Sequence, residues 1–113
     1  MLVSLGLRDL GYNYFNLEDC WSLPSRDSNG HIQADPAKFP SGIAAFSAAI
    51  KSKNLKFGVF STAGTKSCIS GAGSLTYEQV DASDFAALGA DYLKYGDCNG
   101  LGLPQYNRFA AMA

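Results

Sequence analysis

The sequence has little that would commit it to a highly charged or metal-bound partner. Nine basic residues oppose ten acidic ones, for a formal net charge of -1, so it carries no electrostatic footprint for nucleic acid or an anionic membrane surface. A single histidine, His31, is present. It has no ligand partners at zinc spacing and reads as a loop residue, so neither a metal nor an organic cofactor is expected. Long hydrophobic runs are missing too. A stretch such as Ile43 to Ile50 falls far short of the roughly 20 apolar residues a spanning helix needs. Met1 to Leu10 lacks the basic start, apolar run and small-residue cleavage site of a secretory signal, because Arg8 and Asp9 interrupt it. Cysteine is scarce and odd in number: Cys20, Cys68 and Cys98 fit neither a dense disulfide framework nor a CxxC metal site. On spacing alone, three thiols or one bridge with a thiol left over both remain open.

What is present describes a globular α/β chain. Apolar residues make up 47% and charged residues 17% of 113 positions, the balance of one soluble domain over residues 1–113. Leu2, Val3, Leu5 and Leu10 recur at near-helical spacing before Gly11. YNYFNL (12–17) is strand-like, and 22–41, rich in Ser, Pro, Asp, Asn and Gly, reads as a long loop. Ile43, Phe46 and Ile50 mark a helix face ending near Lys51, Lys53 and Asn54. LKFGVF (55–60) is a second strand. Thr76 and Gln79 form a capping-box pattern ahead of a helix through Val80 and Leu88, closed by Gly89. ADYLKY (90–95) is a third strand, and Pro104 suits the first turn of a last helix.

Strands alternating with helices predict a parallel sheet with right-handed crossovers, in which chemistry gathers in the loops after the strands. Those loops begin EDCW, STAGTKSC and GDCNG and hold all three cysteines, whereas the opposite connections, DLGY, SKNL and ALGAD, are short and bland. GAGSLT (71–76) precedes a helix, but it starts ten residues after its strand and lacks a Lys-Ser/Thr ending and a third glycine. It does not make a phosphate loop.

The strings GLRDLGYNYFNLEDCW, FPSGI, LKFGVFSTAGTKSC and GSLTYEQVDASDFAALGADYLKYGDC resemble glycoside hydrolase family 27, the α-galactosidases (melibiases) and α-N-acetylgalactosaminidases. The resemblance runs from about Val3 to the end. It implies a segment of a TIM (β/α)8 barrel, about strands two to four with their helices, since the whole barrel takes roughly 250 residues. It also implies α-galactosides or galactose-bearing glycoconjugates as partners, and a secreted or lysosomal-type compartment. Cys68 and Cys98 match a family disulfide between the loops after strands three and four, and Cys20 matches a cysteine that pairs upstream. Open sheet edges would let such a segment self-associate.

The family is a group of retaining enzymes, which use one carboxyl group as nucleophile and a second as acid/base. The nucleophile follows the Lys-aromatic pair that ends strand four, a position occupied here by Gly96. Asp97 is one residue on, and a step of one along a strand turns a side chain to the other face, so only a local bulge would re-aim it. The acid/base belongs to a later strand. By resemblance, Glu18 and Asp19 accept hydrogen bonds from galactose hydroxyls, with Glu18 one methylene longer than the usual aspartate. Trp21 walls the cleft, Lys94 donates to the sugar, and Phe60 replaces a tyrosine. The expectation is a glycosidase segment that is itself inactive. The alternative is a catalytically dead, lectin-like galactose binder.

Overall fold

The computed structural model describes residues 1–113. In chain order it contains β1 (Tyr14–Asn16), β2 (Ser22–Arg26), β3 (Ile32–Ala34), α1 (Ile43–Lys51), β4 (Lys56–Thr62), α2 (Glu78–Ala87), β5 (Tyr92–Gly96) and α3 (Gln105–Met112). A short 3-10 turn, Arg8–Leu10, precedes β1. Strands β1, β4 and β5 form a parallel sheet in the order β1-β4-β5, as the strand–helix alternation requires. No helix is long and apolar enough to cross a membrane.

Strand β4 lies in the centre, and all its residues after Lys56 are buried. Its apolar run fits a parallel strand flanked on both sides. Helix α1 covers one face through Phe46, whose ring meets Phe15 edge-on at 5.7 Å and Phe57 at 6.2 Å. Ser47 donates from Oγ to the Leu88 carbonyl at 2.7 Å and so ties α1 to the end of α2. Trp21, Val59, Phe60 and Phe85 pack together as a buried apolar cluster.

Several expectations are corrected. Residues 2–10 form turns, not a helix: Gly6 adopts φ +72°, the left-handed region that stops a right-handed helix after one turn. The stretch 22–41 is not one long loop, because β2 and β3 pair antiparallel across it. Asp27 makes the turn by accepting the Asn29 and His31 backbone N–H groups, each at 2.9 Å, as short acidic side chains do. The capping box is absent. Tyr77 is the helix N-cap residue without a side-chain bond, and the Thr76 backbone N–H donates to Glu78 Oε1 at 3.1 Å. Pro104 occupies the N-cap of α3, one position before its first turn. Strand β4 also runs two residues beyond the expected end, to Thr62.

Candidate sugar-binding site

The parallel register places functional groups on one sheet face. Phe60 pairs with Lys94 and Thr62 with Gly96, and alternate residues of a strand share a face. The loop after β1 brings Glu18 across to this row. Lys94 Nζ donates to Glu18 Oε1 at 2.7 Å and stands 5.9 Å above the Phe60 ring. Both side chains of the pair are over half exposed, at 51% and 62%. An exposed pair of this kind adds at most about 1 kcal/mol to stability, so it can exchange its partners for ligand hydroxyls at little cost.

Gly96 closes the row. A Cβ at this position would meet Thr62 Cγ2 at 3.3 Å and Phe60 Cζ at 3.5 Å. A side chain there would therefore project on the face that carries Lys94. Asp97 does not. Its carboxylate accepts from Arg108 Nη2 at 2.6 Å, and the same guanidinium donates to the Ala63 carbonyl at 2.6 Å and the Leu103 carbonyl at 3.1 Å. Arg108 is buried on α3, so Asp97 belongs to a clamp joining that helix to the loops after β4 and β5.

Asp19 is likewise held by backbone. Its two oxygens accept the Cys20 N–H at 2.6 Å and the Ile69 N–H at 2.8 Å, pinning the loop after β4 beside the end of β1. That leaves lone pairs on each oxygen but fixes the direction of the carboxylate. Trp21 is set deeper. At 5% exposure it lies in the core, with its indole N–H donating to the Phe60 carbonyl at 2.8 Å and its ring edge-on to Phe85 at 6.4 Å. It supports Phe60 from behind. Tyr95, between Lys94 and Gly96, is driven by burial, with help from the charges of Glu78 and Asp81, up to a pKa of about 12. It stays protonated near neutrality and is no general base.

Cys68 and Cys98 form a disulfide with Cα atoms 5.2 Å apart, and Cys20 is a free thiol. Asn99 strengthens the same junction, its Nδ2 donating to the Ser67 carbonyl at 2.9 Å. Sequence reasoning missed Asn99, Arg108 and the Arg26 network described below. No motif marks them, since Ser67, Ala63 and Asp81, partners of Asn99, Arg108 and Arg26, lie 32, 45 and 55 residues away.

The sequence matches the model of the family described as Alpha galactosidase A over residues 1–109. The chain belongs to this α-galactosidase family. An α-galactosidase of Lachancea cidri is 47% identical over 99% of the chain and 25% of its own length, and one from Cyamopsis tetragonoloba is 47% identical over 98% and 27%. Among solved structures, α-galactosidase I of Mortierella vinacea superposes with a TM-score of 0.95 at 43% identity, covering 98% of the chain and 29% of the enzyme. The Saccharomyces cerevisiae α-galactosidase with raffinose gives 0.94 at 40%, covering 98% and 25%. The chain thus spans about a quarter of the length of the α-galactosidases it matches. Its structure is an α/β segment shared with these α-galactosidases, whose family is one of glycoside hydrolases.

Proposed function

We propose that this chain supplies the galactose-holding side of a retaining α-galactosidase barrel, as about strands two to four, and does not itself turn over substrate. One observation carries the reading. Lys94 and Glu18 meet at 2.7 Å at the ends of β5 and β1, above Phe60 and beside Gly96, the family's nucleophile position. A lysine donor and carboxylate acceptors at that rim match the alternating donors and acceptors of neighbouring sugar hydroxyls. Glu18, Asp19 and Lys94 provide the polar contacts, Phe60 the apolar wall, and Trp21 the packing that holds Phe60. The substrate class is terminal α-D-galactosyl residues of sugars or glycoconjugates. The Cys68–Cys98 bridge favours an oxidising compartment, secreted or lysosomal in type.

Double displacement needs an attacking carboxylate and an acid/base. Gly96 offers no oxygen, and Asp97 is engaged by Arg108. We expect no hydrolysis of 4-nitrophenyl α-galactoside above a buffer control and no covalent labelling by a fluorosugar inactivator. Gly96→Asp alone leaves the chain inactive, because the second carboxyl group comes from another strand in the family. Turnover that Asp97→Asn abolishes would overturn this reading. Gly96 also favours a second one, a non-catalytic galactose binder. In a full-length chain rebuilt around this segment, turnover restored by Gly96→Asp selects the glycosidase, whereas saturable galactose binding with no turnover selects the binder.

A further inference from the structure

Away from the sugar-binding rim, a cavity of about 320 Å³ opens between β3, α1 and α2. Its floor and walls are apolar and partly aromatic, built from Trp21, Ile32, Ile43 and Phe85. The lining has only two polar side chains, and they are bonded to each other: His31 Nδ1 and Asp84 Oδ2 lie 2.7 Å apart. Small-molecule sites have this composition, a mostly apolar hollow of about 300–1,000 Å³ with a few convergent polar groups. The volume here is at the lower end and suits a single ring system.

We infer that this cavity is a binding site for a small, uncharged hydroxylated aromatic molecule. The ring selects itself by the walls, since Trp21 and Phe85 already meet edge-on at 6.4 Å and offer aromatic surface for a third ring. The head group follows from the rim. Joining Nδ1 to Asp84 leaves His31 its second ring nitrogen and Asp84 its second oxygen. The hydrogen bond and charge of Asp84 favour a proton on the ring, above the ordinary histidine value, and the protonated rim is an ion pair with no net charge. It presents one N–H donor and one carboxylate acceptor. A phenolic hydroxyl accepts from the first and donates to the second. Repulsion from one member of the pair cancels attraction to the other for a carboxylate or an ammonium, so neither gains to offset its desolvation, and a bare hydrocarbon would leave both groups without a new partner. The site does not depend on the galactose reading, and none of its polar groups belongs to that rim.

Trp21 is the sole tryptophan and therefore reports from the cavity floor. Titrating the full chain with 4-bromophenol at neutral pH should quench its fluorescence saturably through the heavy atom. Bromobenzene and 4-bromobenzoate should bind roughly tenfold more weakly, a difference within what the hydroxyl's two hydrogen bonds support. Ala87 is an exposed residue at the cavity edge, so Ala87→Phe should fill the hollow and abolish saturable quenching with the helix intact. Asp84→Ala should erase the preference for bromophenol over bromobenzene. Linear, collisional quenching by bromophenol, equal binding of all three compounds, or full binding by Ala87→Phe would each overturn the proposal.

Discussion

At the scale of single residues, the same side-chain chemistry does different work according to where its neighbours stand. Glu18, Asp19 and Asp97 are all carboxylates at strand ends, yet Asp19 caps backbone, Asp97 meets a buried guanidinium, and only Glu18 faces a freely exchangeable partner. Arg108 is the most committed of these groups. At 8% exposure it satisfies the Ala63 carbonyl and Asp97 together, and Gly100 has no side chain to obstruct it. Arg108→Met should lower stability by about 1–3 kcal/mol, the cost of leaving a buried acceptor unpaired, measured by urea denaturation. A change below 0.5 kcal/mol would show that solvent replaces the guanidinium freely.

At the scale of elements, the β2–β3 hairpin depends on a helix more than fifty residues away. Arg26 forms a two-pronged pair with Asp81 of α2, both bonds 2.7 Å, and donates to the carbonyls of Gly30 and Gly73, each at 2.7 Å. Its guanidinium also stacks 3.9 Å from the Tyr77 ring centre. With Arg26 at 11% exposure and Asp81 at 0%, Asp81→Ala strands a buried charge and should cost about 3–5 kcal/mol. That is a large part of a domain's usual stability. The thermal midpoint of the variant is the direct measure; one unchanged from the parent would rule the pair out as an anchor.

His31–Asp84 is the second tie between hairpin and helix. The hydrogen bond and charge of Asp84 raise the His31 pKa above 6.5, with smaller help from Asp27 and Asp81. A raised folded value means that folding favours the protonated form. Its stabilisation is complete below the unfolded value and is lost as pH rises through the raised one. The melting temperature should therefore fall with pH above about 6.5, and His31→Gln should flatten that slope. A slope of the opposite sign would contradict the pairing.

At the scale of the whole molecule, the core is small. Only 21 of 113 residues are buried, while β1 and β5 are both sheet edges that carry the exposed rings Tyr14 and Tyr92. Unpaired parallel edges with apolar side chains invite association. We expect the isolated chain to show a concentration-dependent mass in sedimentation equilibrium. A monodisperse monomer with a sharp two-state melt would mark it as a self-contained domain instead.

What the sequence determined by itself is the repeating local grammar. The runs around 12–17, 55–60 and 90–95 become the three parallel strands, and Ile43, Phe46 and Ile50 lie on a true helix, because periodicity follows from backbone geometry. The family resemblance implied a Cys68–Cys98 bridge, and the structure contains it. Tertiary structure decided what local patterns leave undetermined. A polar stretch became a hairpin because Asp81 receives Arg26. An apparent helix at 2–10 stopped at Gly6, where backbone freedom outweighed spacing. Trp21 went into the core rather than to the rim, where its indole N–H finds the Phe60 carbonyl. The hairpin and the buried tryptophan rest on partners distant in sequence, whose meeting only the packed chain arranges.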